Sequence, residues 1–220
     1  MKKDSRENFL IIFEKNNPMR LLVFLGILAK IIAITLIVMH RDKIFGGKTN
    51  TFNVIEQRSS VRSYTAEVPS EQETEKLLRA AMAAPSSRNV QPWVFYVITS
   101  AEILETLAEA LPSASMLSRA PLAIVIAGDT RKGNPNEEQV WNWIMDCSAA
   151  SQNLLLAAHS MGLGAVWTGV FPYQQRIAIV KETLNIPGHI TPLNIIPVGY
   201  PDGDHPPKDK WDPGKIHYVP

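Results

Sequence analysis

The sequence predicts an α+β layered sandwich, on three observations. Segments with helical and strand-like patterns are mixed, without the strict alternation that is typical of a doubly wound parallel sheet. No Gly-x-Gly-x-x-Gly stretch follows a predicted strand, so a Rossmann-type dinucleotide site is not expected. Hydrophobic residues make up 45% of the 220 residues, which is enough apolar material for a sizeable core.

Several segments are predicted as helices. Ser70 and Glu73 have the spacing of a capping box, in which each side chain bonds the other residue's backbone N–H. The helix over 142–160 is small or apolar nearly all round in its middle, which indicates burial on most sides. We expect it to be a central element that could pack against its copy in a second subunit. The predicted helices cover 52–57, 70–83, 101–111, 142–160 and 172–184.

The strands are predicted from apolar and β-branched runs. Residues 93–99 read WVFYVIT, and 122–127 read LAIVIA, an unbroken apolar run that is typical of a buried strand. Shorter strands are predicted over 165–168 and 193–198. The chain after Asp202 is polar and holds many prolines, so we expect it to lie along the surface.

Charge and cysteine content exclude several classes of protein. The 22 basic and 21 acidic residues give a net charge of +1, so no broad field would attract nucleic acid. The single cysteine, Cys147, cannot form an intrachain disulfide. The histidines are scattered without the spacing of metal ligands, so no metal site is expected.

The first part of the chain, 1–50, is predicted as a segment with a hydrophobic helix over 20–39 and a linker, in front of a folded domain over 51–220. The apolar run is roughly 28 Å long as a helix, close to the roughly 30 Å hydrocarbon core of a bilayer. A central Lys30 costs about 3 kcal/mol, but the surrounding apolar residues return roughly 5 kcal/mol. This predicts a single-pass membrane anchor. The alternatives are a signal peptide, or a cytoplasmic protein whose translation starts downstream, near Met39.

Arg58-Ser59-Ser60-Val61-Arg62 is the first stretch that could carry binding chemistry. Two guanidiniums flank two hydroxyls, and the fixed fork of donors on arginine fits a phosphate. If the stretch is extended, Arg58, Ser60 and Arg62 share one side. The alternative is a solvated basic turn.

The second stretch, over 84–93, joins a predicted helix to a predicted strand. Its prolines restrict the backbone and its polar side chains supply donors and acceptors, which suits a polar, planar ligand. The alternative is a turn that only stops the helix. The candidate residues are Pro85, Ser86, Ser87, Asn89 and Gln91.

Two further stretches complete the set. Within GLGAVWTGVF, over 162–171, Gly169 allows a ligand to approach the backbone closely, so the N–H groups of Thr168 and Gly169 could face it. A plain glycine turn is the alternative. In the tail, Lys208 and Lys210 could close over a phosphate, or could be a solvated charge run.

In this order, the four stretches resemble the nitroreductase family. They read Arg-Ser-Ser-x-Arg, Ala-Pro-Ser-Ser-x-Asn-x-Gln-Pro-Trp, Gly-Leu-Gly-Ala-x-Trp-x-Gly, and Pro-Val-Gly-Tyr-Pro followed by basic residues. The second is the most specific, and the resemblance covers 51 to about 218. It implies a three-layer α-β-α sandwich that forms an intertwined homodimer, with FMN at each subunit interface.

The resemblance also implies roles for individual residues. Arg58 and Ser60 would hold the FMN phosphate with Lys208 or Lys210, and Ser59 belongs to the same stretch. Arg62 and Asn89 would reach the ribityl chain and pyrimidine edge, with Gln91 in the same loop as Asn89. Pro85, Ser86 and Ser87 would come from the opposite subunit. The backbone at Thr168-Gly169 would meet flavin N5.

The implied function is an FMN-dependent oxidoreductase. NADH or NADPH would pass hydride to flavin N5, and a nitroaromatic, quinone or similar small acceptor would then take it, without a side-chain nucleophile. Two alternatives remain open at this point. One is a membrane-tethered flavin dehalogenase of the same fold, with a lid over 130–143 that offers Asn136, Glu137, Trp141 and Trp143 to substrate. The other is a non-catalytic flavin-binding or membrane-scaffold protein.

Overall fold

A computed structural model describes residues 25–30, 51–132 and 141–219 of the chain. The chain divides into two compact units, Met1–Thr49 and Asn50–Pro220. In the first unit the described residues, 25–30, form a helix with exposed side chains. The elements named below all belong to the second unit.

The predicted membrane anchor is corrected by the structure. Among the described residues, no helix has both the length and the apolar character needed to cross a bilayer. A spanning helix needs about 20 residues, whereas the described helical residues of this segment, 25–30, are six. The rest of the predicted anchor, 20–24 and 31–39, lies outside the described residues. The predicted membrane location is therefore wrong on this finding.

All the predicted helices of the second unit are confirmed. The capping box at the start of the second is formed: Ser70 N donates to Glu73 Oε2 at 2.8 Å, and Glu73 N donates to Ser70 Oγ at 3.2 Å. Short 3-10 helices occupy Ser87–Asn89, Pro112–Arg119 and Pro213–Lys215. The α-helices are α1 (Thr51–Gln57), α2 (Glu71–Met82), α3 (Ala101–Ala110), α4 (Asn142–Ser160) and α5 (Gln174–Thr183).

The strands form one antiparallel sheet. They are β1 (Trp93–Ile98), β2 (Leu122–Asp129), β3 (Gly164–Ala165), β4 (Thr168–Gly169) and β5 (Ile190–Gly199). Their order in the sheet is β1-β2-β5-β3, with β4 also paired to β5. The strand predicted over 165–168 is two short strands. Ala165 pairs with Val198 but Thr168 pairs with Ile195, because the chain leaves the ladder at Val166 and Trp167.

Helices cover both faces of the sheet, so the three-layer α-β-α sandwich is confirmed. On β2, which is buried throughout, Ile124 faces the core cluster of α2 and α4. The next residue, Val125, faces the cluster of α3 and α5, as the period-two alternation of a strand requires. Helix α4 contributes Cys147, Ala150 and other buried residues along its length, which confirms the prediction of a central helix.

Candidate functional site

The loop between α2 and β1 has a strained backbone. Arg88, Asn89 and Gln91 have φ angles of 50°, 57° and 50°. These lie in the left-handed region, which costs a residue with a side chain roughly 1–2 kcal/mol relative to the right-handed one. Strain of this kind persists only where surrounding contacts enforce it, and it is frequent at binding sites. The loop over 85–91 is therefore held in a shape that it would not adopt alone.

Hydrogen bonds tie the candidate residues of this loop to one another. Gln91 N donates to Ser86 Oγ at 3.0 Å, and Gln91 Nε2 donates to Asn89 Oδ1 at 2.9 Å. Pro85, Asn89 and Gln91 are exposed, whereas Ser86 and Ser87 are half-buried. These bonds join three of the five candidates of this loop, Ser86, Asn89 and Gln91, to one another.

Two residues of α4, Asn142 and Asp146, form hydrogen bonds to this loop, and the sequence patterns did not reveal them. The backbone N–H of Ser87 donates to Asp146 Oδ1 at 2.9 Å, and Asn142 Nδ2 donates to Ser87 Oγ at 3.0 Å. Asp146 is only 6% exposed. The one available indication was a carboxylate immediately before the apolar middle of a helix predicted to be buried.

The stretch from Arg58 to Arg62 follows α1 and is attached to β3. Val61 is buried and its N–H donates to Ala165 O at 3.1 Å. Ser60 and Arg62 are exposed, and Arg58 and Ser59 are half-buried. Ser60 and Arg62 thus share exposure while the residue between them points into the core.

Arg58 lies close to the C-terminal end of α4. The pKa of His159, in the last turn of α4, is lowered mainly by burial and further by the positive charge of Arg58. Ser87, by contrast, is bonded to Asp146 near the N-terminal end of the same helix. At about 1.5 Å rise per residue, His159 and Asp146 are roughly 20 Å apart along the axis. Within one subunit, the structure therefore does not bring the loop over 85–91 to Arg58.

Strand β4 carries the two candidates of the third stretch, Thr168 and Gly169. The Thr168 hydroxyl is buried and donates to the carbonyl of Ile195. A Cβ built on Gly169 meets no heavy atom within 4 Å, so open space lies beside this backbone. The Gly169 carbonyl accepts from Arg176 Nη1 at 2.9 Å, and this guanidinium lies 4.2 Å from the centre of the Tyr173 ring.

The tail that carries Lys208 and Lys210 begins beside the first stretch. Tyr64 forms an isolated bridge with Pro201, and Asp202 N donates to Ser63 O at 3.0 Å. Both lysines are exposed. The start of the tail is thus a neighbour of Arg62, although the structure shows no bond from either lysine to the other candidates.

A buried amide beside β4 was not anticipated. Asn194, which faces Gly169 across the β4–β5 ladder, is fully buried and donates from Nδ2 to Ser151 Oγ at 2.8 Å. Among the described residues, its Oδ1 atom is a buried polar atom with no hydrogen-bond partner. A polar side chain in the middle of an apolar strand was the available indication.

The lid suggested for the dehalogenase alternative is described only in part. Asn136 and Glu137 lie outside the described residues. Trp143 is buried, with its ring 5.2 Å from that of Phe171, so it serves the core and is not open to substrate. Trp141 is 61% exposed, with its ring 6.2 Å from the Phe171 ring.

Comparison with known proteins gives a consistent result. The model of the nitroreductase family matches residues 55–114 and 108–200. A protein of Methanothermobacter thermautotrophicus, provisionally named an NADH dehydrogenase/NAD(P)H nitroreductase, is 41% identical over 77% of this chain and 87% of its own length.

Solved structures agree in fold. A crystal structure from Parabacteroides distasonis, under the same provisional name, is 51% identical with a TM-score of 0.72, over 76% of this chain and 96% of that one. A provisionally named nitroreductase from Desulfovibrio desulfuricans, solved in complex with FMN, is 28% identical with a TM-score of 0.66, over 77% and 96% of the two chains. With the fold, the matched residues and these identities in agreement, the chain belongs to the nitroreductase family.

Proposed function

We propose that this protein is an NAD(P)H-dependent FMN oxidoreductase that passes hydride to a nitroaromatic, a quinone or a similar small acceptor, and that 51–220 is its catalytic domain. Family membership and the relatives named for NAD(P)H and FMN support the enzyme class and the cofactor. The observation that carries the proposal is the open space beside Gly169, which lies on a strand paired with β5.

The residues around Gly169 fit a flat, polar group. A side chain at this position would project into the space, whereas glycine leaves the backbone accessible to a ring edge. The buried Thr168 hydroxyl and the guanidinium of Arg176 both bond backbone carbonyls here, so the strand does not need to rearrange on binding. A preorganised edge of this kind lowers the entropic cost of binding a cofactor.

The FMN phosphate requires cations and hydrogen-bond donors. Arg58, Ser59, Ser60 and Arg62 supply both on a stretch attached to β3, which directly precedes β4. The exposed Lys208 and Lys210 lie on a tail that begins beside this stretch, so they could add charge at the same end. Arginine can contact a phosphate through two parallel charge-assisted hydrogen bonds, which are stronger than bonds between neutral groups.

The loop over 85–91 would belong to the site of the partner subunit. Its anchor on α4 lies roughly 20 Å along the helix axis from the end beside Arg58, so the two stretches lie at opposite ends of α4 within one chain. A two-fold pairing of α4 against its copy would bring opposite ends of the two helices together. We therefore propose that Pro85, Ser86, Ser87, Asn89 and Gln91 all enter the site across the interface of a homodimer.

Exposed apolar surface supports the second copy. In the tail, Trp211 and Tyr218 are 74% and 90% exposed, which is unusual for large aromatic side chains. Strand β1 is at the end of the described sheet and borders a groove of about 460 Å³ lined by 95–100, Ile103 and Leu184. An unpaired strand edge and an unpacked tail are both surfaces that a subunit interface covers.

When bound, FMN supplies the acceptance of hydride from the nicotinamide and its donation to the acceptor. The chain's own contribution is electrostatic: Arg62 is exposed and positively charged, and it would stabilise negative charge on the reduced ring system. Cys147 takes no part, because burial, reinforced by the charge of Asp146, raises the pKa of its thiol to about 12. A thiolate nucleophile is therefore not available at neutral pH.

The test is spectroscopic. The purified full-length protein should be yellow, or become yellow with added FMN. NADPH or NADH added without oxygen should bleach the visible absorbance band of the flavin, and a nitroaromatic or a quinone should then restore it. Arg62→Ala should weaken FMN retention and slow bleaching, whereas Lys181→Ala, on α5, serves as a charge-matched control. Protein that takes up no FMN refutes the proposal, and protein that binds FMN but is never bleached supports a non-catalytic flavoprotein instead.

A further inference from the structure

Asp146, a buried carboxylate on α4, bonds the loop over 85–91 but has no proposed contact with the flavin. Asp146 is 6% exposed on a helix whose other buried positions are mostly apolar or small. Burying a charged group carries a desolvation cost that an alanine or leucine would avoid. Its Oδ1 atom accepts the backbone N–H of Ser87 at 2.9 Å, which joins this carboxylate to the strained loop.

Asn142 lies four residues before Asp146 and therefore on the same face of the helix. Its Nδ2 atom donates to Ser87 Oγ at 3.0 Å. Ser87 is thus bonded to α4 through both its backbone and its side chain. Fixing both groups sets the position and the direction from which the chain enters the left-handed residues Arg88 and Asn89.

We propose that Asp146 and Asn142 are positioning residues that hold Ser87, and through it the left-handed turn at Arg88 and Asn89, in the shape that binds the flavin of the partner subunit. The inference rests on the proposed function, because the loop is taken to contact FMN. Neither residue need touch the flavin itself. Without the two bonds, the left-handed residues would relax towards ordinary backbone angles, and the ligand would have to restore the loop shape on binding.

The proposed role of Asp146 depends on its hydrogen-bond acceptor oxygen and not on its negative charge. An asparagine there keeps an oxygen that accepts the Ser87 N–H, and it removes the cost of burying a charge. An alanine removes the acceptor and leaves the N–H of the half-buried Ser87 without this partner. The pair Asp146→Asn and Asp146→Ala therefore separates anchoring of the loop from an effect of charge.

The experiment compares FMN dissociation constants of apoprotein variants by flavin fluorescence, together with the melting temperature of each apoprotein. Asp146→Ala should raise the FMN dissociation constant at least tenfold, whereas Asp146→Asn should stay within about threefold of wild type. Leu104→Ala, in the core around α3 on the other face of the sheet, should lower the melting temperature at least as much as Asp146→Ala. It should change FMN affinity less than threefold, because it does not touch the loop.

Several outcomes overturn the inference. If the wild type binds FMN and Asp146→Ala binds it equally well, the loop does not need this anchor, although the proposed function stands. If Asp146→Asn loses as much affinity as Asp146→Ala, the carboxylate acts through its charge and the anchoring role is wrong. If the wild type binds no FMN, the proposed function fails and the inference fails with it.

A double-mutant cycle covers the case in which Asp146→Ala does not fold. Asn142→Ala and Ser87→Ala each remove the same side-chain bond but leave the Asp146 contact in place. If this bond positions the loop, the double variant should lose no more FMN affinity than the weaker-binding single variant. Losses that simply add would show that the two side chains act independently, and would overturn the role of Asn142.

Discussion

Replacing Gly164 by alanine should destabilise the protein at the junction between β3 and the stretch from Arg58 to Arg62. A Cβ built on Gly164 lies 2.5 Å from Val61 Cγ1, 2.7 Å from Val61 Cβ and 3.0 Å from Val61 Cγ2. Carbon atoms in contact prefer separations of about 3.5–4.0 Å. Val61 would have to retreat by about 1 Å, and a new rotamer cannot relieve the contact with its Cβ atom.

The backbone of Val61 is held from two sides, so the retreat is costly. Its N–H donates to Ala165 O at 3.1 Å, and its carbonyl accepts from the Tyr64 hydroxyl at 2.7 Å. Overpacking of this kind costs about 1–3 kcal/mol, and loss of one of these bonds adds about 1 kcal/mol. We therefore expect a loss of about 2–4 kcal/mol in the free energy of unfolding. For a domain of this size, that lowers the melting temperature by roughly 5–15 °C.

The assay is thermal unfolding of the apoprotein, followed by FMN titration. Gly188→Ala is the matched control, because its Cβ meets nothing within 4 Å and the change should stay within about 0.5 kcal/mol. Gly164→Ala should also weaken FMN binding, since Val61 lies between Ser60 and Arg62. A melting temperature within about 2 °C of wild type would refute the packing argument. If Gly164→Ala shows the expected loss of stability but binds FMN with unchanged affinity, the link between the stretch from Arg58 to Arg62 and the FMN phosphate is refuted.

Three further predictions concern single positions. Gly169→Ala should leave the melting temperature of the apoprotein within about 2 °C of wild type, since no heavy atom lies within 4 Å of the new Cβ. The same variant should raise the FMN dissociation constant at least tenfold, and an unchanged FMN affinity would contradict an approach of flavin to this backbone. Burial and the charge of Asp146 raise the pKa of the Cys147 thiol to about 12. Cys147 should therefore resist iodoacetamide at about pH 8 in the folded protein and react with it in urea, and rapid labelling of the folded protein would argue against its burial. Hydrogen bonds from Ser70 lower the pKa of Glu73, so its stabilising contribution is present above the unfolded-state pKa of about 4.3 and is lost as the pH falls through the folded-state value. The melting temperature of Glu73→Gln should therefore fall less than that of wild type on acidification, and parallel curves would contradict this contribution.

Features that depend on near neighbours in the chain could be predicted from the sequence. The apolar run of β2 and the small, apolar middle of α4 are set by which faces of an element are buried, and burial leaves a periodic pattern. The capping box at Ser70 and Glu73 joins residues three apart, so its spacing alone indicates the start of α2. Strand β5 was predicted over 193–198 but begins at Ile190, because its first residues pair with the end of β2 beyond a bulge at Ile126 and Ala127. That register depends on a partner strand far away in the chain.

Candidate binding residues could also be proposed from the sequence, since arginine, serine and glycine stretches carry their chemistry in their residue types, and these assignments stay predictions. Their arrangement was not predictable, because it depends on contacts between residues far apart in sequence. The left-handed angles of Arg88 and Asn89 follow from bonds to α4, and no local pattern marks Asp146 as the residue that holds Ser87. The length of α4 separates this loop from Arg58 within one chain, so packing distances, which the order of residues does not contain, determine which stretches can share a ligand.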